Sequence, residues 1–169
     1  AQVDRLAAMV NDVLRSGNVA EQALCQEKRL RIDKLVAEVI DDYVLLAKTR
    51  SMTFTVNAGL TTICANRDMM RHVISNLVSN AVRHGDAGSV IKIICDQHEL
   101  AIENACKPLT KQQLQHVFDP FYRTSGNAKQ HASSSGIGLY TVKMLLDTKG
   151  LDYDFTPHGR GMRFVVKLT

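Results

Sequence analysis

Between Arg67 and His84 the chain carries an unbroken helical stretch with two unlike faces. Asn76, Asn80, Arg83 and His84 recur at i, i+4, i+7 and i+8 and so line one side of a helix. Val73, Leu77, Val78 and Ala81 occupy the opposite side. Such a helix must bury one stripe against other elements while leaving two amides, a guanidinium and an imidazole in reach of solvent or a ligand. Two readings of the polar row stay open. It is a solvated face beside a core stripe, or it is a metal–phosphate site, where amide oxygens suit a hard cation and the arginine pairs with phosphate oxygens.

The neighbouring patterns say what this helix packs against. Gln2 to Arg15 reads as a short amphipathic helix (Val3, Leu6, Val10, Val13), closed by Ser16-Gly17-Asn18 and followed by a polar linker from Ala20 to Arg29. A second amphipathic helix runs from Ile32 to Lys48, with Leu35, Val36, Val39, Ile40, Tyr43 and Leu46 on one side. Met52–Val56 and Thr61–Ala65 alternate like strands, with Asn57-Ala58-Gly59 as a turn between them. After the Arg67–His84 helix, closed by Gly85-Asp86-Ala87-Gly88, come strand-like runs at Val90–Cys95 and Leu100–Glu103. A short helical stretch, Lys111–Val117, then precedes a polar loop, Thr124–Ser135, long enough to call for a functional reason. Gly136–Lys149 reads as a third long helix, and Tyr153–Thr156 with Met162–Leu168 as a hairpin around His158-Gly159-Arg160-Gly161. Three long helices with strands between and after them predict an α+β fold, a two-layer sandwich with the helices on one face of a mixed sheet and a short N-terminal helix in front.

Composition narrows the class. Of 169 residues, 45% are hydrophobic and 22% charged, as in a globular domain, and no apolar run approaches a membrane span. Cys25, Cys64, Cys95 and Cys106 share no metal-binding spacing and read as reduced thiols of an intracellular protein. The net charge of +4 is spread along the chain, and aromatics make up only 5%, too few for a base-stacking platform. Nucleic acid is therefore not the expected partner, and a basic cleft for a phosphorylated ligand accounts for the charge.

Two further constellations stand beside the amide row. Ser133-Ser134-Ser135-Gly136-Ile137-Gly138-Leu139 opens a helix, where unpaired N–H groups favour an anion and glycine lets a phosphate approach the backbone. The alternative is a hinge with a serine N-cap. Ile102-Glu103-Asn104-Ala105-Cys106-Lys107-Pro108-Leu109 ends a strand in a polar side chain fit to read a base edge. Val117-Phe118-Asp119-Pro120-Phe121-Tyr122-Arg123 follows, with Phe118 and Phe121 expected to pack into the core and anchor the loop beyond.

In their order and spacing these segments resemble the boxes of the sensor histidine kinase branch of the ATPase superfamily shared with gyrase and MutL. NLVSNAVRHG resembles the asparagine box, VFDPFYR the phenylalanine box and SSSGIGLYTV the second glycine box. The resemblance covers Ile32 to Thr169 and implies the Bergerat-type ATP-binding fold. It divides the chain into residues 1–29, the end of a dimerisation and histidine-phosphotransfer helix with its linker, and residues 30–169, the catalytic domain. It implies Mg2+ on Asn80, Asn76 near the terminal phosphate of ATP, Arg83 on a phosphate and His84 beside the nucleotide. Gly136 and Gly138 would let the backbone cradle the triphosphate, flanked by Ser135, Ile137 and Leu139, with Thr124–Ser135 as a mobile lid. Asn76 and Asn80 would be the catalytic pair, and Leu109 would line the nucleotide site.

The first glycine box departs from the family pattern DxGxG. Asn104 stands where the adenine-reading aspartate is expected, and Cys106 and Pro108 replace the glycines. Asparagine-bearing versions, with a similar FxPFYR stretch, resemble the vancomycin-resistance sensors. The implied function is phosphoryl transfer from Mg-ATP to a histidine on an upstream hairpin, within a homodimer that relays to a response regulator. None of the six histidines lies in a motif like SHExRTP, the family's acceptor box. The implied location is the cytoplasmic side of a membrane-anchored sensor. Two other readings are a degenerate nucleotide module regulating a phosphatase, favoured by the altered box, and an anti-sigma-type serine kinase of the same fold.

Overall fold

The computed structural model describes residues 17–18, 27–123 and 136–169. The expected Gln2–Arg15 helix, Cys25, Ser135 and the Thr124–Ser135 lid lie outside the described residues.

The fold is α+β. Strand β1 (Lys28–Arg31) leads into helix α1 (Ile32–Thr49), then β2 (Thr53–Ala58), β3 (Thr62–Ala65) and helix α2 (Arg67–His84). β4 (Val90–Cys95), β5 (Glu99–Ala105), α3 (Lys111–His116), α4 (Gly138–Lys149), β6 (Tyr153–His158) and β7 (Gly161–Lys167) complete it. A five-stranded sheet runs in the order β2-β4-β5-β7-β6, and β1 and β3 form a separate two-stranded ribbon. Among the described strands only β2 and β4 pair in parallel; the other pairs are antiparallel. Parallel neighbours need a long crossover, and β3 with α2 supplies it.

The strand register sorts the sheet into two faces. Ile93, Ile102, Phe164 and Phe155 form one cross-strand row, and Cys95, Leu100, Val166 and Tyr153 the next. These residues face the helices, whose buried stripes (Leu35, Val36 and Val39; Val73, Leu77, Val78 and Ala81; Val142, Leu145 and Leu146) join them in one core. The other face alternates charge: Lys92, Glu103 and Arg163 sit in register, and Glu99 pairs with both Arg163 and Lys167. Helix α2 packs against α1, α4 and β5, so it is the centre of the helical layer.

Several boundaries differ from those the sequence predicts, each for a local reason. Gly17 and Asn18, read as the end of the first helix, are themselves helical, since an exposed glycine costs a helix about 1 kcal/mol without breaking it. The buried stripe of α1 ends in Ala47, 1% exposed, while Leu46, expected on the core side, is 38% exposed. The spacing Val36, Ile40, Tyr43, Ala47 keeps the helical repeat on the core, and position 46 falls off its edge. Lys28 and Arg29, read from the sequence as the end of a linker, are strand residues paired with Ala65 and Cys64. Asn57 and Ala58, read as turn residues, extend β2 because Ile94 and Cys95 of β4 continue alongside them. The chain turns just after, where the Gly59 N–H donates to the Cys95 carbonyl at 2.8 Å, and β2 and β3 then enter different sheets. Helix α4 begins at Gly138 rather than Gly136, because Gly136 has φ +73°, outside the helical region.

Two side chains fix the ends of the helical layer. Asp33, in the first turn of α1, accepts from Arg31 Nε at 2.7 Å and from the Thr61 N–H at 3.4 Å, joining β1, α1 and the approach to β3. The Arg31 guanidinium is the main cause that holds the Asp33 carboxyl at about 2, below its ordinary 3.8. Arg50 closes α2: its guanidinium donates to the carbonyls of Val82, of Arg83 at 2.8 Å and of Gly85 at 2.8 Å. A cation at a helix C-terminus also meets the negative end of the helix dipole.

The lowered Asp33 pKa means that the folded protein binds this proton less tightly than the unfolded chain does. Its stabilisation is complete above about pH 4 and is lost as pH falls towards about 2. Asp33→Asn should therefore lower the melting temperature by several degrees at pH 7, with the gap closing between about pH 4 and pH 2; a gap independent of pH would contradict this. Arg50→Met should cost ~1–3 kcal/mol, since it strips the partner from the last carbonyls of α2. Thermal melts should show it as roughly 2–4 °C per kcal/mol in a chain of this size.

Candidate functional site

Helix α2 starts with Asn66 as N-cap, its side chain accepting from the Met69 N–H at 3.0 Å. Burial of Val73, Ile74, Leu77, Val78, Ala81 and Val82 then sets the rotation of the helix. Asn76, Asn80 and Arg83 are left half-buried along its margin, with His84 exposed. Arg83 Nε donates to Ser79 Oγ at 3.1 Å, which turns the guanidinium back along the helix.

At one end of this row lies the start of α4. A Cβ built on Gly138 would stand 3.3 Å from Asn76 Oδ1, so the Asn76 amide rests on the backbone of the first helical residue. A larger side chain there would displace the amide. Ile137, the N-cap residue, is 2% exposed and makes no side-chain cap bond; it anchors the helix start in the core. Leu139 packs against the core from its edge. Any contact from Ile137 to a ligand would thus come from its backbone. The first-turn N–H groups of a helix have no partner within the helix, and α4 starts at Gly138, next to the Asn76 amide.

Gly136 serves a different purpose. Its carbonyl accepts from the Phe121 N–H at 3.0 Å, and a Cβ on it would lie 3.0 Å from the Phe121 carbonyl carbon and the Tyr122 oxygen. The backbones on the two sides of residues 124–135 are therefore joined directly. Phe118 packs as expected, edge-on to Tyr153, Phe155 and Phe164. Phe121 does not: it is 53% exposed and has φ +66°, so it acts through its backbone rather than as a core anchor.

At the other end of the row lies the end of β5. The Asp86 N–H, just past α2, donates to the Ala105 carbonyl at 2.7 Å. Asn104, half-buried, pairs in register with Met162 and lies on the same face as Ile102, towards the helices. The Leu109 N–H contacts Met162 Sδ at 3.4 Å, which brings Leu109 to the same corner. Burial pushes the neighbouring Cys106 thiol up, with Asp86 adding to the effect, so the thiol stays protonated at neutral pH.

The structure thus gathers the predicted residues at two corners of one helix: Asn76 with Gly138, and the His84 end of α2 with Asn104 and Leu109. Asn80 and Arg83 lie between. The row from Asn76 to His84 spans about 12 Å at 1.5 Å per residue. Sequence reasoning missed three supporting residues. Arg50 carries no motif. Gly85 is needed because a Cβ there would press on the Ala81 carbonyl and on Met52 at 2.6 Å, and Gly161 because a Cβ would collide with the Asn104 carbonyl. The hairpin glycines were visible as a turn, but their approach to β5 depends on which strand lies beside them. Among the described residues, no group of three or more His, Cys, Asp or Glu side chains could hold a metal ion, and no helix is long and apolar enough to cross a membrane.

The chain is 30% identical over 168 residues to the sensor histidine protein kinase HK06 of Streptococcus pneumoniae, covering 99% of this chain and 38% of that protein. The structure of histidine kinase ShkA in complex with AMPPNP matches with a TM-score of 0.78 at 21% identity, over 98% of this chain and 36% of that one. Histidine kinase ThkA in complex with the response regulator TrrA matches with a TM-score of 0.73 at 18% identity, over 99% and 48%. The two structural likenesses show the fold. Residues 65–169, which contain α2, α4 and the end of β5, match the family model described as histidine kinase-, DNA gyrase B- and HSP90-like ATPase, and the chain belongs to that family.

Proposed function

We propose that the chain is the ATP-binding catalytic domain of a two-component sensor histidine kinase, transferring the terminal phosphoryl group of Mg-ATP to a histidine on an upstream hairpin. The observation that carries this reading is the seat of Asn76 against Gly138, which sets the amide row of α2 beside the N-terminus of α4. Phosphate suits the α4 end, where first-turn N–H groups and the positive end of the helix dipole face it. The base then belongs at the β5 end, near Asn104, Leu109 and His84.

The donors fit magnesium. Mg2+ takes one or two protein oxygens and completes its shell with substrate phosphates and water, so the single amide oxygen of Asn80 suffices where a carboxylate cluster is lacking. Bound there, the metal would neutralise charge on the transferring phosphate. Asn76 orients the terminal phosphate, Arg83 pairs with a phosphate oxygen, and Gly136, Ile137, Gly138 and Leu139 offer backbone; Ser135 joins them from outside the described residues. Catalysis of this kind is mostly positioning and electrostatics.

In this reading residues 1–29 belong to the end of the dimerisation hairpin and its linker, and residues 30–169 are the catalytic domain. The full-length protein is a homodimer anchored in a membrane with this domain on the cytoplasmic side, and its partner is a response regulator, as in the ThkA complex. The narrower likeness to vancomycin-resistance sensors rests on Asn104 and on Phe121-Tyr122-Arg123.

Titration calorimetry should show ATP binding that weakens at least tenfold with EDTA, and Asn80→Ala should remove most of that dependence. Equal affinity with and without the chelator would take Asn80 out of the metal role; a complete lack of binding would favour the degenerate module. Mixed with the upstream hairpin and Mg-ATP, the chain should yield acid-labile phosphohistidine. Asn104→Leu should weaken ATP binding by ~1–3 kcal/mol, because the adenine amino group loses its acceptor. Unchanged affinity in a folded Asn104→Leu protein would end the base-reading assignment.

A further inference from the structure

The longest run of the chain without a charged residue, Ser51 to Asn66, contains β2, the strand at one edge of the five-stranded sheet. Exposed apolar side chains gather in the same region. Among the described residues, five of the six large ones (Leu45, Leu46, Val56, Leu60 and Val90) lie on β2 or on segments joined to it, and Phe121 is the sixth. Leu45 and Leu46 stand near the end of α1, where the Ala47 carbonyl accepts from the Met52 N–H at 2.9 Å, and Val90 pairs with Thr53. The opposite edge, β6, is guarded by Asp154 and by Pro157, which has no N–H to offer a further strand. β2 has neither a charge nor a proline, and all of its residues except Phe54 are exposed.

The ladder shows which groups this edge leaves free. The Thr53 N–H donates to the Ser89 carbonyl at 3.2 Å and the Gly59 N–H to the Cys95 carbonyl at 2.8 Å, so the odd-numbered residues of β2 turn their backbone groups to β4. Phe54, Val56 and Ala58 turn theirs outward. Their side chains lie on the helix face, in register with Ile91, Ile93 and Cys95.

We propose that β2 pairs antiparallel with β2 of a second copy of this chain, joining two five-stranded sheets into one across a twofold axis at Val56. In that register the two Val56 residues exchange both backbone hydrogen bonds, and Phe54 of each copy pairs with Ala58 of the other. The strand is complementary to itself in size, with large beside small at both ends and Val56 against Val56 at the centre. On the opposite face Thr55 meets Asn57 of the other copy, two side chains able to hydrogen-bond. Charge selects the same place. The chain carries a net charge of +4, and two copies repel least where they meet without charged side chains. A single pair of short strands buries less than the roughly 1,200 Å² of a stable interface, so the association is weak and reversible. It involves none of the residues assigned to the nucleotide.

Sedimentation equilibrium of the whole chain from micromolar to millimolar concentration tests the pairing. The apparent mass should rise from that of one chain towards that of two. Amide exchange at Phe54, Val56 and Ala58 should slow over the same range, while Thr55 and Asn57 stay protected throughout. Val56→Pro removes the outward N–H without touching the bonds to β4, and should raise the dissociation constant about thirtyfold, the loss of two neutral hydrogen bonds per dimer. Val56→Lys sets two ammonium groups side by side at the axis and should abolish association; it keeps every backbone N–H, so it serves where proline unsettles the strand. Thr156→Lys, on the guarded edge, should leave association as it was. An apparent mass of one chain at every concentration overturns the proposal and leaves the edge to a strand of another protein. Association that survives both Val56 variants, each shown by its melting curve to be folded, places the contact elsewhere and overturns it as well.

Discussion

Helix α2 must bury one stripe and hold a row of polar side chains at its margin at once, and its rotation about its own axis decides whether either works. Six apolar side chains from Val73 to Val82 lock that rotation against α1, α4 and β5. A helical residue turned out of the core by about 100° carries its neighbours with it. Asn76, Asn80 and Arg83 thus owe their place at the helix margin to the residues of its buried stripe. The two ends are fixed as firmly: Asn66 caps the start, and Arg50 binds the carbonyls at the end. Because Arg50 belongs to the segment between α1 and β2, the end of the amide row is tied to the sheet edge as well as to the helix.

Periodicity made most of this legible. The faces of α2 follow from spacing alone, and so does the alternation of β4, since both depend on neighbours in the chain. Pairing across the sheet did not follow. Nothing in Thr53–Ala58 or Thr62–Ala65 says that the first joins β4 in parallel while the second turns away to β1. That choice is made by Asp33, which accepts from Thr61, and by Ile32, whose N–H donates to the Thr61 carbonyl at 3.0 Å. Phe121 misled for the opposite reason. Hydrophobicity marked it for the core, yet its positive φ and the bond to Gly136 hold it at the surface. The structure seats Asn76 against Gly138, two residues singled out in different motifs, and buries the Ile137 side chain beside them. Arg50 and Gly161 could not be found from motifs, because each acts through a carbonyl distant in sequence.

The segment that resembles an altered first glycine box, Asn104 to Pro108, has no glycine of its own, and the bare position lies on the neighbouring strand. Glycine is needed where a backbone or a ligand comes too close for a side chain. At the end of β5 that demand falls on Gly161 of the neighbouring strand, which clears the Asn104 carbonyl. Cys106 can then carry a side chain, which is half-buried. A strand end needs only one of two facing positions to be bare.

Residues of the site and residues of its frame should therefore respond differently to change. Asn76, Asn80 and Asn104 are half-buried, so on the proposed reading their replacement would remove contacts to a ligand at little expense to the fold. Ile137, Met162, Gly85 and Gly161 are buried, and Gly85 and Gly161 have no room for another atom. Altering these moves the frame, and a shift of about 1 Å in a positioned group is enough to cost a large factor in rate. Gly138 belongs to both sets: it starts a helix that needs no glycine for its backbone angles, and its bareness serves the Asn76 amide instead. An alanine there would leave α4 intact and push Asn76 by a few tenths of an ångström. Its effect would appear at the α4 end of the row while the Asn104 corner stays as it was.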